Sequence, residues 1–229
     1  MRSYFWIILV LLISSCSTNS KLTKLNAYSG IYNEQPISIL IMPPINRSTN
    51  VEAKQFFHAT LHVPLANSGY YVVPPFLSME ILKRESAYDS ELFLNQSLDK
   101  FNEVFDADIA LFTIIHKWDK NKIGAKVFVE IEYVIKSTKT NDILYSRHGS
   151  IEYDASVSTG VDGIYGALAD IALSAANTAA TKYVDLAKVC NRYTLTDLPK
   201  GKYSTRYKID GDDLAGKPKF KVRLSAKSY

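Results

Sequence analysis

His58 and His62 are four residues apart, a spacing that on a helix directs two imidazoles toward one point, as a metal site would need. The position that supplies the base in an HExxH motif is Ala59, and no third ligand stands nearby, so the pair reads as helix surface and no metal is assigned. A second candidate is the stretch 159–166 (TGVDGIYG), where Gly160, Gly163 and Gly166 precede a helix and exposed amides could meet an anion. It lacks both the Lys-Ser/Thr of a P-loop and a GxGxxG spacing, and a flexible loop joining sheet to helix competes with the ligand-binding reading. Asp106 with Asp108, and Asp212 with Asp213, resemble paired carboxylates, but both pairs fall where turns are expected and no calcium loop surrounds them. Cys190 has Lys188 and Arg192 near it but no positioned base, so it reads as a small apolar residue on a helix face. A G-x-S-x-G nucleophile elbow is absent. The expectation is a binding module and not an enzyme, with no cofactor; the alternative is a periplasmic ligand-binding or hydrolytic domain using the 160–166 loop.

The most specific chemistry stands at the N-terminus. Arg2 precedes an unbroken apolar run, Phe5 to Ile13, and small residues lead to Cys16, the pattern of a secretory signal peptide. The run is well short of the roughly 20 residues that a bilayer-spanning helix needs. The ending Ile13-Ser14-Ser15-Cys16 resembles a bacterial lipobox. That resemblance implies cleavage before Cys16, diacylglycerol on its thiol, and, with Ser17 following, delivery to the outer membrane with the body facing the periplasm. Cys190 is then the remaining cysteine, so the mature chain has no internal disulfide.

The chain has 229 residues, 47% hydrophobic and 22% charged, with a formal net charge of +4. This is a globular composition, large enough to bury a core without disulfides or metal, and its mixed charge does not indicate a nucleic-acid partner. Residues 1–15 read as signal peptide, 16–35 as a polar lipidated tether, 36–198 as one domain, and 199–229 as a basic tail with nine basic and three acidic residues. Within the domain, Ile37 to Met42 is a strand apolar on both faces, and Phe57, Leu61 and Leu65 form a helical stripe. Tyr70 to Val73 forms a second strand, and a helix carrying Leu77, Ile81 and Leu82 follows. This order predicts a parallel pair. Leu98, Phe101, Val104 and Phe105 then lead into the strand Ile109 to Ile115. Period-two alternation over Val127 to Ile135 and a strand from Ile143 predict an antiparallel hairpin with one wet face. A long helix runs from Gly163 to about Tyr193, and Ala172, Ala176 and Ala180 widen its apolar stripe into a candidate interface with a second copy or a partner. The expected fold is α/β, a three-layer-like domain whose mixed sheet has a parallel βαβα start and an antiparallel hairpin. In the tail, Lys217, Lys219, Lys221 and Arg223 interleave with Phe220, Val222 and Leu224; an edge strand guarded by lysines and a surface for acidic lipid or a partner's sheet edge fit equally.

Four segments, Ile39 to Thr49 (ILIMPPINRST), Pro64 to Pro74 (PLANSGYYVVP), Phe105 to Phe112 (FDADIALF) and Asp142 to Arg147 (DILYSR), resemble a bacterial lipoprotein family represented by a conserved neisserial outer-membrane lipoprotein. The resemblance runs from the lipobox to about residue 210. It implies a fold similar to the N-terminal domain of TolB and partnership with CsgG-like outer-membrane proteins in an envelope assembly or transport system. No catalytic residues come with it. The chain departs from the family pattern at Asp106, where a Gly is typical, and at Tyr145, where a Trp is common.

Overall fold

In the computed structural model, residues 22–121, 126–154 and 183–225 are described. Seven strands form one mixed sheet: β1 (Ser38–Ile41), β2 (Ile45–Asn46), β3 (Tyr71–Val72), β4 (Ile109–Asn121), β5 (Lys126–Ser137), β6 (Ile143–Asp154) and β7 (Lys219–Ser225). Their order is β3-β1-β4-β5-β6-β7, with β2 continuing along β4 after the Pro43-Pro44 break. The β1–β3 and β1–β4 pairings are parallel, as the alternation of strands and helices predicts, and β4-β5-β6 is an antiparallel meander.

All four β1 positions are buried because helices cover both sheet faces at this end. Ile39 and Ile41 join Phe57, Leu61 and Leu65 of α3 (Ala53–Asn67) and Leu186 and Cys190 of α6 (Tyr183–Leu195). Leu40 and Met42 face the other way, onto Leu82 of α4 (Pro75–Arg84) and Phe101 of α5 (Asp99–Phe105). Alternation over Ile39 to Met42 thus feeds two cores from one short segment, β1 and the residue after it. The meander extends past this sandwich. There Trp118, Val129, Ile151 and Leu224 still pack on the α3–α6 side, while residues on the opposite face are partly exposed.

Two expected boundaries differ from the structure. The segment 16–35, read as a tether, is folded in its described part: α1 (Lys24–Ala27) and α2 (Ser29–Glu34) bury Tyr28 and Ile31 in the main core. The segment 199–229, read as a tail, is part of the same body through Ser225. It bridges Leu214 to Thr23, receives the Lys24 and Leu25 amides on the carbonyls of Asp213 and Gly211, and ends as β7, parallel to β6. Buried aspartates tie the two ends together. Asp210 accepts from the Lys200 N–H at 3.0 Å and the Tyr32 hydroxyl at 3.1 Å, and pairs with Lys24 at 3.6 Å. Asp197 accepts from the Tyr28 hydroxyl and from the Gly216 N–H at 2.9 Å. Gly69, at φ +89°, completes the seam: its carbonyl accepts from the Tyr203 N–H, and a Cβ there would sit 2.5 Å from the Ser204 nitrogen.

Candidate functional site

On the partly exposed face of the meander, outward residues of adjacent strands stand side by side. In the β5–β6 register Glu132 lies opposite His148 and Glu130 opposite Ser150. The β4–β5 register shifts between Ile115 and Lys117, so that His116 is the extra residue of a bulge while Trp118 stays on the core face opposite Val129. Histidines from β4 and β6 consequently flank the central Glu132.

The resulting geometry is tight. His116 Nε2 lies 3.0 Å from Glu132 Oε2, His148 Nδ1 lies 3.8 Å from the same oxygen, and His148 Nε2 lies 2.7 Å from Glu130 Oε1. The two imidazoles stack with centroids 5.1 Å apart and planes 17° apart. All four side chains are between 25% and 39% exposed, buried enough to hold their positions and open enough to reach solvent. Ionised carboxylates only accept, so His148 Nε2 donates its proton to Glu130, while Nδ1 faces Glu132 as a lone pair in the singly protonated ring and as a second donor in the doubly protonated one. Among the described residues this is the grouping of His, Cys, Asp or Glu side chains that brings three ligand atoms within 4.8 Å of one another.

Beyond the histidines the same face is a lattice of opposite charges. Lys117 pairs with Asp119 at 3.2 Å, and Glu152 bridges Lys126 at 2.7 Å and Arg223 of β7 at 2.9 Å. The Lys126 hydrogen bond, helped by the Arg223 charge, holds the Glu152 carboxyl below its ordinary range. A shallow hollow of about 220 Å³ runs between Phe128, Glu130, Ser150 and Lys221. A larger groove of about 530 Å³ between α3 and α6 is lined by Thr60, Val63, Pro64, Lys188 and Arg192, among others, and brings no carboxylate, histidine or cysteine together.

Cys16, Gly160, Gly163, Gly166, Ala172, Ala176 and Ala180 lie outside the described residues, as do residues 163–182 of the expected long helix; Tyr183–Leu195 is helical. His58 and His62 share α3 but not a site: His62 is exposed, whereas His58 Nε2 is buried without a hydrogen-bond partner. Burial, then the charges of Lys54 and Lys83, push the His58 imidazole down to about 4. Cys190 is fully buried, and burial pushes its thiol well above the ordinary range. Asp106 caps α5 in a left-handed conformation at φ +50°. Asp108 accepts the Ile37 and Ser38 amides at 2.9 and 3.2 Å and pairs with Lys139 at 2.8 Å, so this pair shapes a turn and a strand start. Asp213 pairs with Arg206 at 2.9 Å and Asp212 is exposed, again within a turn.

The sequence reasoning missed His116 and His148. The available signal was Glu130 and Glu132 at the wet positions of an alternating strand, with His148 on the predicted following strand and His116 one residue past the end of the predicted preceding one.

Comparison with known proteins adds the following. A model of the GNA1162-like lipoprotein family matches residues 26–202. A protein of Neisseria meningitidis serogroup B described as a lipoprotein, NMB1124/NMB1162, is 24% identical over 143 residues, 62% of this chain and 66% of that protein, just under two thirds of its length. The crystal structure of lipoprotein GNA1162 from Neisseria meningitidis aligns with 64% of this chain and all of that one, at 21% identity and a TM-score of 0.47. A PelC dodecamer from Paraburkholderia phytofirmans aligns with 71% of this chain and 88% of that one, at 11% identity and a TM-score of 0.41.

Proposed function

The chain belongs to the GNA1162-like lipoprotein family, and from that premise we propose that it is an outer-membrane lipoprotein, anchored through Cys16 and facing the periplasm, whose body is an adaptor in an envelope assembly or secretion complex. The observation that carries the proposal is the open, charged sheet face ending in the basic strand β7. Lys219 and Lys221 line that strand and Arg223 bridges to Glu152, while β7 is paired, among the described residues, along β6 only. An open face of alternating charges suits a protein surface better than it suits an enclosed small substrate. The edge strand adds backbone groups that another strand can meet, and its lysines discourage indiscriminate pairing.

The folded helices α1 and α2 shorten the link to the membrane. Lys24 follows Cys16 by eight positions. A chain advances at most about 3.5 Å per residue, so the body stays within roughly 28 Å of its lipid. A partner engaged by this face is therefore membrane-proximal, either a second copy of the chain or a CsgG-like envelope protein.

The test combines anchoring and contact in intact cells. A photo-crosslinking residue replacing Lys221 gives a discrete adduct that depends on Cys16, whereas the same residue at Lys83 of α4 does not. Cys16→Ser leaves the precursor uncut and out of the outer-membrane fraction. Equal crosslinking from both positions, or a mature Cys16→Ser protein in the outer membrane, overturns the proposal.

A further inference from the structure

We propose that His116, Glu132 and His148 form a binding site for a divalent transition-metal ion of the zinc type, with Glu130 orienting His148 from behind. This rests on the geometry of the β4-β5-β6 face and not on the adaptor reading.

Distances come first. Zinc bonds of about 2.0–2.1 Å to nitrogen and carboxylate oxygen in a tetrahedron place the donor atoms about 3.3 Å from one another. The observed separations from Glu132 Oε2, 3.0 Å to His116 Nε2 and 3.8 Å to His148 Nδ1, bracket that value. All three ligand atoms lie within 4.8 Å of one another, and the two imidazoles must turn out of their stack for both in-plane lone pairs to meet one ion.

The hydrogen-bond pattern points the same way. With Nε2 of His148 engaged by Glu130, its Nδ1 is the ring atom that faces the Glu132 carboxylate. A lone pair facing an anion is repulsive unless a cation or a proton lies between them. A carboxylate behind a ligating histidine is the arrangement that fixes tautomer and ring orientation in zinc proteins. On binding, His116 exchanges its Nε2–H···Oε2 contact for a metal bond, and that proton moves to its Nδ1 or to solvent. Position is also specified by the backbone, since the bulge at His116 swings this side chain onto the open face.

Donor type sets the class of ion. Two imidazoles and one carboxylate suit zinc, cobalt, nickel or copper, whereas calcium and magnesium require mainly oxygen ligands. Three protein ligands leave a fourth position, directed at solvent, for water or a donor from a docked molecule.

The chain has four histidines, which makes the test clean. The full chain, purified in detergent without a polyhistidine tag and stripped by chelator, is titrated with Co²⁺ and then Zn²⁺. One ion per chain is expected, with the visible absorption of tetrahedral Co²⁺ appearing and then disappearing as Zn²⁺ displaces it. His116→Ala and His148→Ala each weaken binding by at least a hundredfold. Glu130→Gln keeps the one-ion stoichiometry and weakens binding by about 10- to 100-fold. Ring signals of the unmodified chain give a readout independent of variants: those of His116 and His148 shift with Zn²⁺, while those of His58 and His62 do not. Binding of less than one ion, unchanged affinity in either histidine variant, or ring shifts confined to His58 or His62 would overturn the assignment.

Discussion

Asp210→Ala tests how the two chain ends are joined. Asp210 is fully buried, and its carboxylate serves Lys24, Tyr32 and the Lys200 amide at once. The Lys24 side chain is 7% exposed, so truncation strands an ammonium that water barely reaches. Breaking a buried pair in this way costs about 3–5 kcal/mol, against a total stability of about 5–15 kcal/mol for a domain. The charge can escape by peeling α1 and α2 away, so the loss is read most directly where those helices meet the 211–215 segment. The reporter amides are those of Lys24, Leu25 and Ala215, which donate to the carbonyls of Asp213, Gly211 and Leu22. At about 1.4 kcal/mol per tenfold, a 3 kcal/mol loss speeds their hydrogen exchange about a hundredfold. Lys24→Met placed on Asp210→Ala removes the stranded charge and restores much of the protection. Exchange accelerated less than about fivefold, or a double variant no better protected than Asp210→Ala alone, would refute the argument, since neither is compatible with a buried ammonium that needs this partner.

Three further outcomes follow from other buried groups. His58 titrates near 6.5 when unfolded and near 4 when folded, so its contribution is fully present above pH 6.5 and is lost as pH falls toward 4. Allowing for partial exposure, that loss is about 2 kcal/mol, and urea midpoints measured across this range should flatten in His58→Gln. Cys190 should react with a thiol reagent only as fast as the chain unfolds, because the thiolate is disfavoured by burial and the sulfur is inaccessible. Gly69→Ala should cost about 2–4 kcal/mol in urea unfolding, since it combines a positive φ with a Cβ 2.5 Å from backbone, whereas Ala66→Gly on the exposed side of α3 should cost only about 1 kcal/mol.

Local pattern carried the interior of the domain. An unbroken apolar run identifies β1, and the 57-61-65 stripe identifies the buried face of α3. The alternation of Val127 to Ile135 marks which side of β5 is wet. Each is a property of a single segment. The ends were illegible for the opposite reason: α1 and α2 have four and six residues, too few to show a helical period, and are held by partners about 180 residues away in the chain. Nothing near Asp210 in sequence marks it for burial, because its partners Lys24 and Tyr32 arrive from the other terminus. The metal candidate lies between these cases. Its residue types are plain, but whether two histidines meet one glutamate depends on the registers of two strand pairs and on one extra residue at the β4 bulge, and a slip by one position sends a side chain to the opposite face.

The same long-range joints connect anchor and surface. Leu22 hydrogen-bonds Ala215, and four residues later Lys219 begins β7 opposite His148. At about 3.5 Å per residue, plus about 5 Å across the Leu22–Ala215 pairing, the point where the N-terminal segment enters the body lies within roughly 20 Å of that strand's start. Under the proposed lipidation of Cys16, the link therefore enters the body nearer to the histidine-bearing strands than to α4 or α5. If the 24–34 segment were the loose tether that its polarity suggests, the body could turn any face outward. Because Asp210 and Asp197 fasten that segment to the 200–216 stretch, the N-terminal segment joins the body at one fixed place, and under the proposed anchoring a variant that weakens the seam should lose the proposed partner contact before it loses the sheet.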